Sequence, residues 1–406
     1  MRTLNILFDG LLFVGFCSLT CSAQMGSIAG TVTDITGAVV QGAGVTTRNL
    51  QSNALRSLTT STTGSYSLPN LPVGTYEVIV TKESFKTFHV SQVQVTVAQV
   101  LNLDVRLEPG IVSERVDVRA DQAADIDLET AQLSNLVDQR KMQDLPLITR
   151  DPYSLVLLSP GTFQTDSSNA GFSVNGARDR NNNFLLDGVD NNDTSVPGAA
   201  TGGVLSANPD STEEFRVITD NFNAEFGRNN GAIIDVVTKS GTNSLHGDLY
   251  EFGRWNGFGG ARDWFNPASQ GRMNPYVRNQ FGGSIGGPII KNKTFFFFNE
   301  EIHRFRTTLT AEDTVPTSTF KTGVFNYNGT QPVNLLPGSA QNLNNLPMDP
   351  TMQKVFALYP NPTVQTGDGF TGLYFFPSGS RYDVSNSTVK IDHHFTDRES
   401  LSLRYG

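Results

Sequence analysis

Phe172–Asp193 reads FSVNGARDRNNNFLLDGVDNND, and after a Gly/Ala/Pro-rich break the chain resumes at Glu213 as EEFRVITDNFNAEFGRNNGAIIDVVTKSGTNSLH, ending at His246. Two short apolar strands, Phe184–Leu186 and Ile233–Val237, sit among Gly, Asn and Asp. Asp187-Gly188 directly after Phe-Leu-Leu signals a tight turn, because Gly accepts a positive φ without steric cost. Thr238, Lys239, Ser240, Gly241, Thr242 and Asn243 close the second strand with turn formers. Few residues here can fill a large dry core. The stretch reads as a compact, polar, loop-heavy unit suited to sit inside a larger wet enclosure.

After Asn243 the texture changes. Leu245–Arg254, Asn279–Ile290, Lys293–Arg306, Ser387–Phe395 and Ser400–Tyr405 read as strands. In the last pair Val389, Ile391, His393 and Phe395 alternate with Thr388, Lys390, Asp392 and His394. Leu401, Leu403 and Tyr405 alternate with Ser400, Ser402 and Arg404. One greasy and one wet face is the pattern of a transmembrane barrel strand. Lys293-Thr294 is followed by four Phe, which suits an interfacial aromatic girdle.

Before the central stretch, residues 125–171 carry Leu145-Pro146-Leu147-Ile148-Thr149-Arg150-Asp151-Pro152 and a Leu-rich segment closed by Pro160-Gly161. Pro152 suits the first turn of a helix there, and Pro160-Gly161 ends it. Residues 24–108 hold short alternating segments: Ser27–Thr33, Val45–Asn49, Tyr66–Leu68, Tyr76–Thr81, Val93–Val97 and Leu101–Leu107. Gly and Pro turns separate them, as in an antiparallel sandwich. Leu101, Leu103, Val105 and Leu107 alternate with polar residues, so one face is buried and the other wet.

Residues 1–23 read as a secretory signal peptide: Arg2, an apolar run from Leu11 to Leu19, then small residues at Ser22 and Ala23. Both cysteines, Cys17 and Cys21, fall within it, so the mature chain is expected to have no thiol chemistry. The 406-residue chain carries a net charge of −9 without a basic run, which argues against a nucleic-acid partner.

Several motifs resemble TonB-dependent outer-membrane receptors of the Oar-like group. They are Phe172–Gly176, Leu186-Asp187-Gly188-Val189, Ala224-Glu225-Phe226-Gly227-Arg228 and Thr238–Asn243 in the plug, with Arg278–Pro288 and Lys293-Thr294 in the first barrel strands. Ile148-Thr149 stands where the family has Asn-Gly. Gly30–Gly37 and Gly64–Tyr76 resemble the carboxypeptidase regulatory-like domain, a transthyretin-like sandwich sometimes grouped with carbohydrate-binding folds. Sugar binding there rests on fold analogy alone.

The resemblance implies a mainly β chain. Its parts would be a signal peptide (1–23), a sandwich (24–108), a linker (109–124), an α+β plug (125–243) and the first strands of an incomplete barrel (244–406). It implies residence in the outer membrane, lipid around the barrel, TonB as periplasmic partner, and an extracellular ligand: a saccharide, a peptide or protein, or a metal chelate. Within the linker Val116, Asp117, Val118, Arg119 and Ala120 resemble a TonB box, a peptide that adds as a strand to a sheet edge on TonB. The same residues also read as a last strand of the preceding sandwich. The plug motif residues are Asp187, Gly188, Phe226, Gly227, Arg228, Thr238, Lys239, Ser240 and Gly241.

A non-transporting surface or adhesion protein on the same scaffold is the alternative. No nucleophile–base pairing stands out, so an enzyme is not expected, nor a cofactor or metal. The set Asp187, Asp190, Asn191, Asn192 and Asp193 has oxygen ligands that suit Ca²⁺, but it lacks the EF-hand spacing. His393 and His394, adjacent on a strand, point to opposite faces and cannot chelate one ion together. A 22-stranded barrel needs roughly 220 residues in strands alone, so the barrel is not expected to close within this chain.

Overall fold

The computed structural model describes residues 25–111, 115–119, 131–147, 150–165, 171–193, 203–205, 207–224, 226–227, 230–256, 276–327, 331–366, 369–397 and 399–406. The signal-peptide reading, Ala120, Ile148-Thr149 and Arg228 lie outside the described residues. The chain divides into two compact units, one of residues 1–250, 282–301 and 386–406, the other of residues 251–281 and 302–385.

The first unit begins with a two-sheet sandwich. β1 (Gly26–Asp34), β4 (Ser65–Leu71), β7 (Val100–Asn102) and β8 (Val105–Leu107) form one sheet around β1. β2 (Gly44–Asn49), β3 (Leu55–Thr59), β5 (Gly74–Thr81), β6 (Thr87–Val95) and β9 (Arg115–Arg119) form the other, in the order β3-β2-β5-β6-β9. The alternation found in the sequence puts Ile28, Val32, Tyr66, Leu68 and Leu71 from one sheet against Val45, Tyr76, Val78, Val80, Val90, Val93 and Val95 from the other. At about 25 cal/mol per Å² of apolar surface removed from water, this core is the main stabilising term of the domain.

The sandwich is not wholly antiparallel. β7 and β8 run parallel to β1, and β9 runs parallel to β6. Period-two alternation is the same in either pairing mode, so the sequence could not decide between them. The segment expected as one strand over Leu101–Leu107 is split at Leu103-Asp104. Asp104 turns back to accept from Thr31 N at 2.8 Å, and Leu103 C=O accepts from the Tyr66 hydroxyl at 2.6 Å. Arg115–Arg119, placed by sequence in the linker, is the last strand of the second sheet.

The plug follows. β10 (Leu133–Asp138), β13 (Asn183–Leu186), β14 (Val189–Asp190), β15 (Thr212–Asp220) and β16 (Ile233–Thr238) form a sheet in the order β10-β15-β16-β13-β14. β11 (Thr162–Gln164) and β12 (Phe172–Val174) pair separately. The expected helix over Pro152–Leu158 is present as a 3₁₀ helix, with Pro152 in its first turn and Asp151 accepting from Tyr153 N at 3.0 Å. The expectation of little dry core is corrected. Tyr153, Phe172, Phe184, Leu186, Phe215, Val217, Ile234 and Val236 are buried together, and the Phe184 ring meets Tyr153 and Phe172 edge-on at 5.8 and 6.0 Å. All of these but Tyr153 lie within the stretch read as polar and loop-heavy; spaced among Gly, Asn and Asp, they form a core only once the strands that carry them pack together.

The last sheet holds β17 (His246–Trp255), β18 (Tyr276–Ile290), β19 (Thr294–Pro316), β22 (Val364–Gln365), β23 (Thr371–His394) and β24 (Ser400–Tyr405). β19 and β23 run much longer than the sequence suggested, at 23 and 24 residues. The Phe run divides: Phe295 and Phe297 are buried, while Phe298 is exposed. Phe296 is half-buried, so Phe298 alone has the exposure a girdle requires.

In the second unit β20 (Val324–Tyr327) and β21 (Gln331–Asn334) make a hairpin. Phe320, Phe325, Phe356 and Phe370 cluster beside it. Arg306 grips Asp383 through both carboxylate oxygens, at 2.5 and 2.9 Å.

Candidate functional site

The plug motif residues gather mainly at one place. Leu186 pairs with Val189, so Asp187 and Gly188 are the two central residues of a two-residue hairpin. Both have positive φ, at 50° and 77°. That is the geometry expected of a primed turn, and Gly188 takes it without the cost a side chain would add. The turn leaves the Asp187 carboxylate pointing back along the sheet. It accepts from Thr238 N at 2.9 Å and from Thr238 Oγ1 at 2.7 Å.

Two cations from the barrel strands reach the same carboxylate. Lys390 Nζ of β23 lies 3.3 Å from Asp187 Oδ1, and Arg404 Nε of β24 lies 3.0 Å from Oδ2. Lys390 Nζ also donates to Thr238 C=O at 3.1 Å. Its side chain is 9% exposed, so nearly all of its hydration has been replaced by these oxygens. The wet face of β23 found in the sequence is thus the face that meets the plug. Asp392, two residues on, accepts from Ser240 Oγ.

The rest of the Thr238–Asn243 segment locks by shape. Lys239 N donates to Ser211 C=O at 2.9 Å. A Cβ at Gly241 would stand 2.6 Å from Gly287 O of β18 and also meet Phe296 O of β19, so only Gly fits. Asn243 exchanges two hydrogen bonds, both 2.8 Å, with Asn292 in the turn between those strands. Phe226 and Gly227 are elsewhere: Gly227 is exposed with open space around it, and neither joins the Asp187 network.

A second polar cluster escaped the sequence reading. Arg150 pairs with Asp210, approaches Glu301 Oε2 at 3.5 Å, and lies over the Tyr250 ring at 4.6 Å. Tyr250 donates to Glu301 at 3.0 Å. Burial pushes the Asp210 carboxyl above its ordinary range, against the pull of Arg150. Arg150 was visible only as the end of a Leu-Pro-Leu segment, and its partners are 60 and 151 residues away.

Two side chains of the candidate Ca²⁺ set are engaged with backbone, and Asp187 with its cations. Asn191 Oδ1 accepts from Leu205 N at 2.9 Å, and Asn192 Oδ1 accepts from Phe184 N at 3.0 Å. No group of three or more His, Cys, Asp or Glu suited to a metal occurs among the described residues.

The TonB-box candidate is β9. Val116 pairs with Phe88, Asp117 with His89, Val118 with Val90 and Arg119 with Ser91. It is a terminal strand of its sheet, extended as the sequence suggested, and its inner edge is engaged with β6.

Comparison with known proteins identifies two parts of the chain. Residues 27–108 match the carboxypeptidase regulatory-like domain family, and residues 237–406 match the outer membrane beta barrel domain family. The TonB-dependent transporter Oar of Myxococcus xanthus is 30% identical over 292 residues, covering 68% of this chain. The chain spans 26% of that relative's length. Among solved structures, the siderophore receptor PirA of Acinetobacter baumannii aligns over 67% of this chain and 43% of its own, with 14% identity and a TM-score of 0.35. A putative carbohydrate binding protein of Bacteroides uniformis aligns over 20% of this chain and 41% of its own, with 24% identity and a TM-score of 0.19. Likenesses at these scores decide nothing about ligand.

Proposed function

We propose that this chain, an outer-membrane homologue of the TonB-dependent transporter Oar, acts as a receptor that captures an extracellular ligand and admits it by displacing the plug at the expense of TonB. The observation that carries the reading is how the plug meets the barrel strands. Asp187, Thr238 and Ser240 meet Lys390, Arg404 and Asp392 through ions and hydroxyls. Apolar plug side chains face the plug's own core. A seam of polar groups can exchange its partners for water, whereas an apolar seam would have to expose greasy surface to open. A plug that must move is best held this way.

The TonB contact falls to residues 116–120. The segment is the last strand of the sandwich before the chain enters the plug, carries β-branched Val116 and Val118, and has no Pro to interrupt a ladder. Adding a strand of TonB here is β-augmentation. Ligand class stays as open as the sequence resemblance leaves it: a saccharide, a peptide or protein, or a metal chelate.

Two measurements test the reading. The purified periplasmic domain of TonB should bind the full chain in detergent, and Val118→Pro, which removes a backbone donor, should weaken that binding at least tenfold. Equal binding by the variant would sink the assignment of 116–120. Ser240→Cys with Asp392→Cys, placed where the two side chains already touch, should cross-link plug to barrel as a disulfide when oxidised glutathione is added as the two-electron oxidant. Energised displacement of the plug, read by labelling of a plug cysteine, should then require reductant. Labelling indifferent to reductant would favour the non-transporting surface protein.

A further inference from the structure

Beyond the end of β6, the Thr96–Val97 peptide of the sandwich is held from both sides by side chains of the plug. Val97 N donates to Glu214 Oε1 at 2.5 Å, and Val97 C=O accepts from Arg216 Nε at 2.6 Å. Arg216 also donates from Nη2 to Thr96 Oγ1 at 2.9 Å and from Nη1 to Ser134 Oγ of β10 at 2.8 Å. Glu214 and Arg216 are two residues apart on β15, so they share one face, while Phe215 and Val217 point into the plug core. Glu214 is 4% exposed, Arg216 7% and Val97 0%.

Burying two opposite charges to this depth is costly unless the lone pairs and N–H groups of both are satisfied. Here a backbone N–H, a backbone carbonyl and a hydroxyl come from another domain. The turn that presents them is fixed in turn by the sandwich, because Ser27 N donates to Gln99 C=O at 2.9 Å and Thr96 Oγ1 bonds Gln99. Loosening the joint without admitting water to these buried groups would leave a carboxyl and a guanidinium short of partners and would strand the Val97 N–H and C=O.

We propose that Glu214 and Arg216 join the sandwich and the plug sheet into one cooperative body, so that a disturbance of the sandwich is felt at β15. One consequence rests on the function proposed above: a pull on β9, an edge strand of the sandwich, reaches the plug through this joint as well as along the chain. The joint itself does not depend on TonB.

Hydrogen exchange of the full chain in detergent micelles, followed over 93–101 and 212–220, tests it. Glu214→Ala with Arg216→Ala should raise exchange at Val97 about tenfold or more, the scale of losing hydrogen bonds to charged groups. Glu214→Gln keeps an acceptor oxygen and should raise it much less. The coupling is read with a remote lesion in the sandwich core. Val78→Ala should speed exchange across β15 in the otherwise native chain, and not when the joint is cut. If Val78→Ala speeds exchange in β5 but leaves β15 unchanged with the joint intact, the domains are independent and the proposal fails. Thr96→Val removes one acceptor of Arg216 and leaves every charge in place, for use if the double variant does not fold. It should reduce the spread of the lesion, and a spread equal to the native one overturns the proposal.

Discussion

The sandwich and the plug are both sheets over apolar cores, and they differ in what lies on the far side of the sheet. In the sandwich, Val45, Val78, Val80 and Val90 fill the core, and the outer face carries one compact polar set in which Glu77 bonds both Arg48 and His89. Burial pushes the Glu77 carboxyl up, but the bonds from Arg48 and His89 outweigh it and hold the group below its usual range. In the plug, β15 is buried on both faces. Phe215 and Val217 go to the core, while Glu214 and Arg216 meet the sandwich. At its other end the plug sheet meets barrel strands through Asp187 and its two cations. One module is therefore finished by its own residues, and the other is completed by ionic contacts from its neighbours. Apolar burial fixes each body, and charge decides how the bodies are held.

The sharpest way to break that contrast is to empty a core. Phe215→Ala should cost about 3–5 kcal/mol, and Leu71→Ala in the sandwich about 2–5 kcal/mol, measured by denaturant unfolding. A loss under about 1 kcal/mol for Phe215→Ala would show that the plug core is not what holds β15.

Next comes Asp187→Ala, which strands Lys390 and Arg404 at a buried seam. Removing one partner of a buried ion pair costs about 3–5 kcal/mol, and partial exposure of this site puts the expectation toward the low end. The loss should show as faster hydrogen exchange in β13 and β24. Exchange unchanged in both strands would mean that the seam is not ionic in effect.

The pH dependence sharpens the comparison further. Burial pushes the Glu214 carboxyl up to about 7, opposed by Val97 N–H and Arg216 and reinforced by Glu213 and Asp138. A carboxyl raised in the folded state stays protonated there while the unfolded chain has already ionised. Between about pH 4.5 and 7 the folded form binds more protons, so stability falls as pH rises through that window. Burial raises Glu213 and Asp210 in the same sense. Glu214→Gln should therefore flatten only part of the slope, read as the unfolding midpoint between pH 5 and 8. An unaltered slope would remove Glu214 from the account.

The smallest effect expected is at an exposed pair. Arg306→Ala should leave the unfolding midpoint nearly unchanged, since Asp383 and Arg306 remain within reach of water. Residues 25–108 should unfold cooperatively when expressed alone. Extending to 119 should add stability, because β9 completes the edge of β6. No gain from the extension would mean that β9 is only loosely held.

Local chemistry was legible in the sequence. Asp187-Gly188 announced its turn because positive φ is a property of the residues themselves, and the alternation at Val389–Phe395 announced two faces because side chains on a strand alternate. The same alternation across Glu214, Phe215, Arg216 and Val217 carried a signal that went unread: opposite charges two apart on a strand whose other face is apolar.

What the sequence by itself determined, then, is a β-rich chain of sandwich, plug and barrel strands, together with the residues at each turn. The tertiary structure alone decided that β9 runs parallel to β6, that Gly241 is squeezed against two carbonyls, and which cations answer Asp187. Turn and strand preferences act over a few residues. Pairing direction and ion partners depend on groups from 28 positions apart, Val90 and Val118, to 217, Asp187 and Arg404, which only the folded chain brings together.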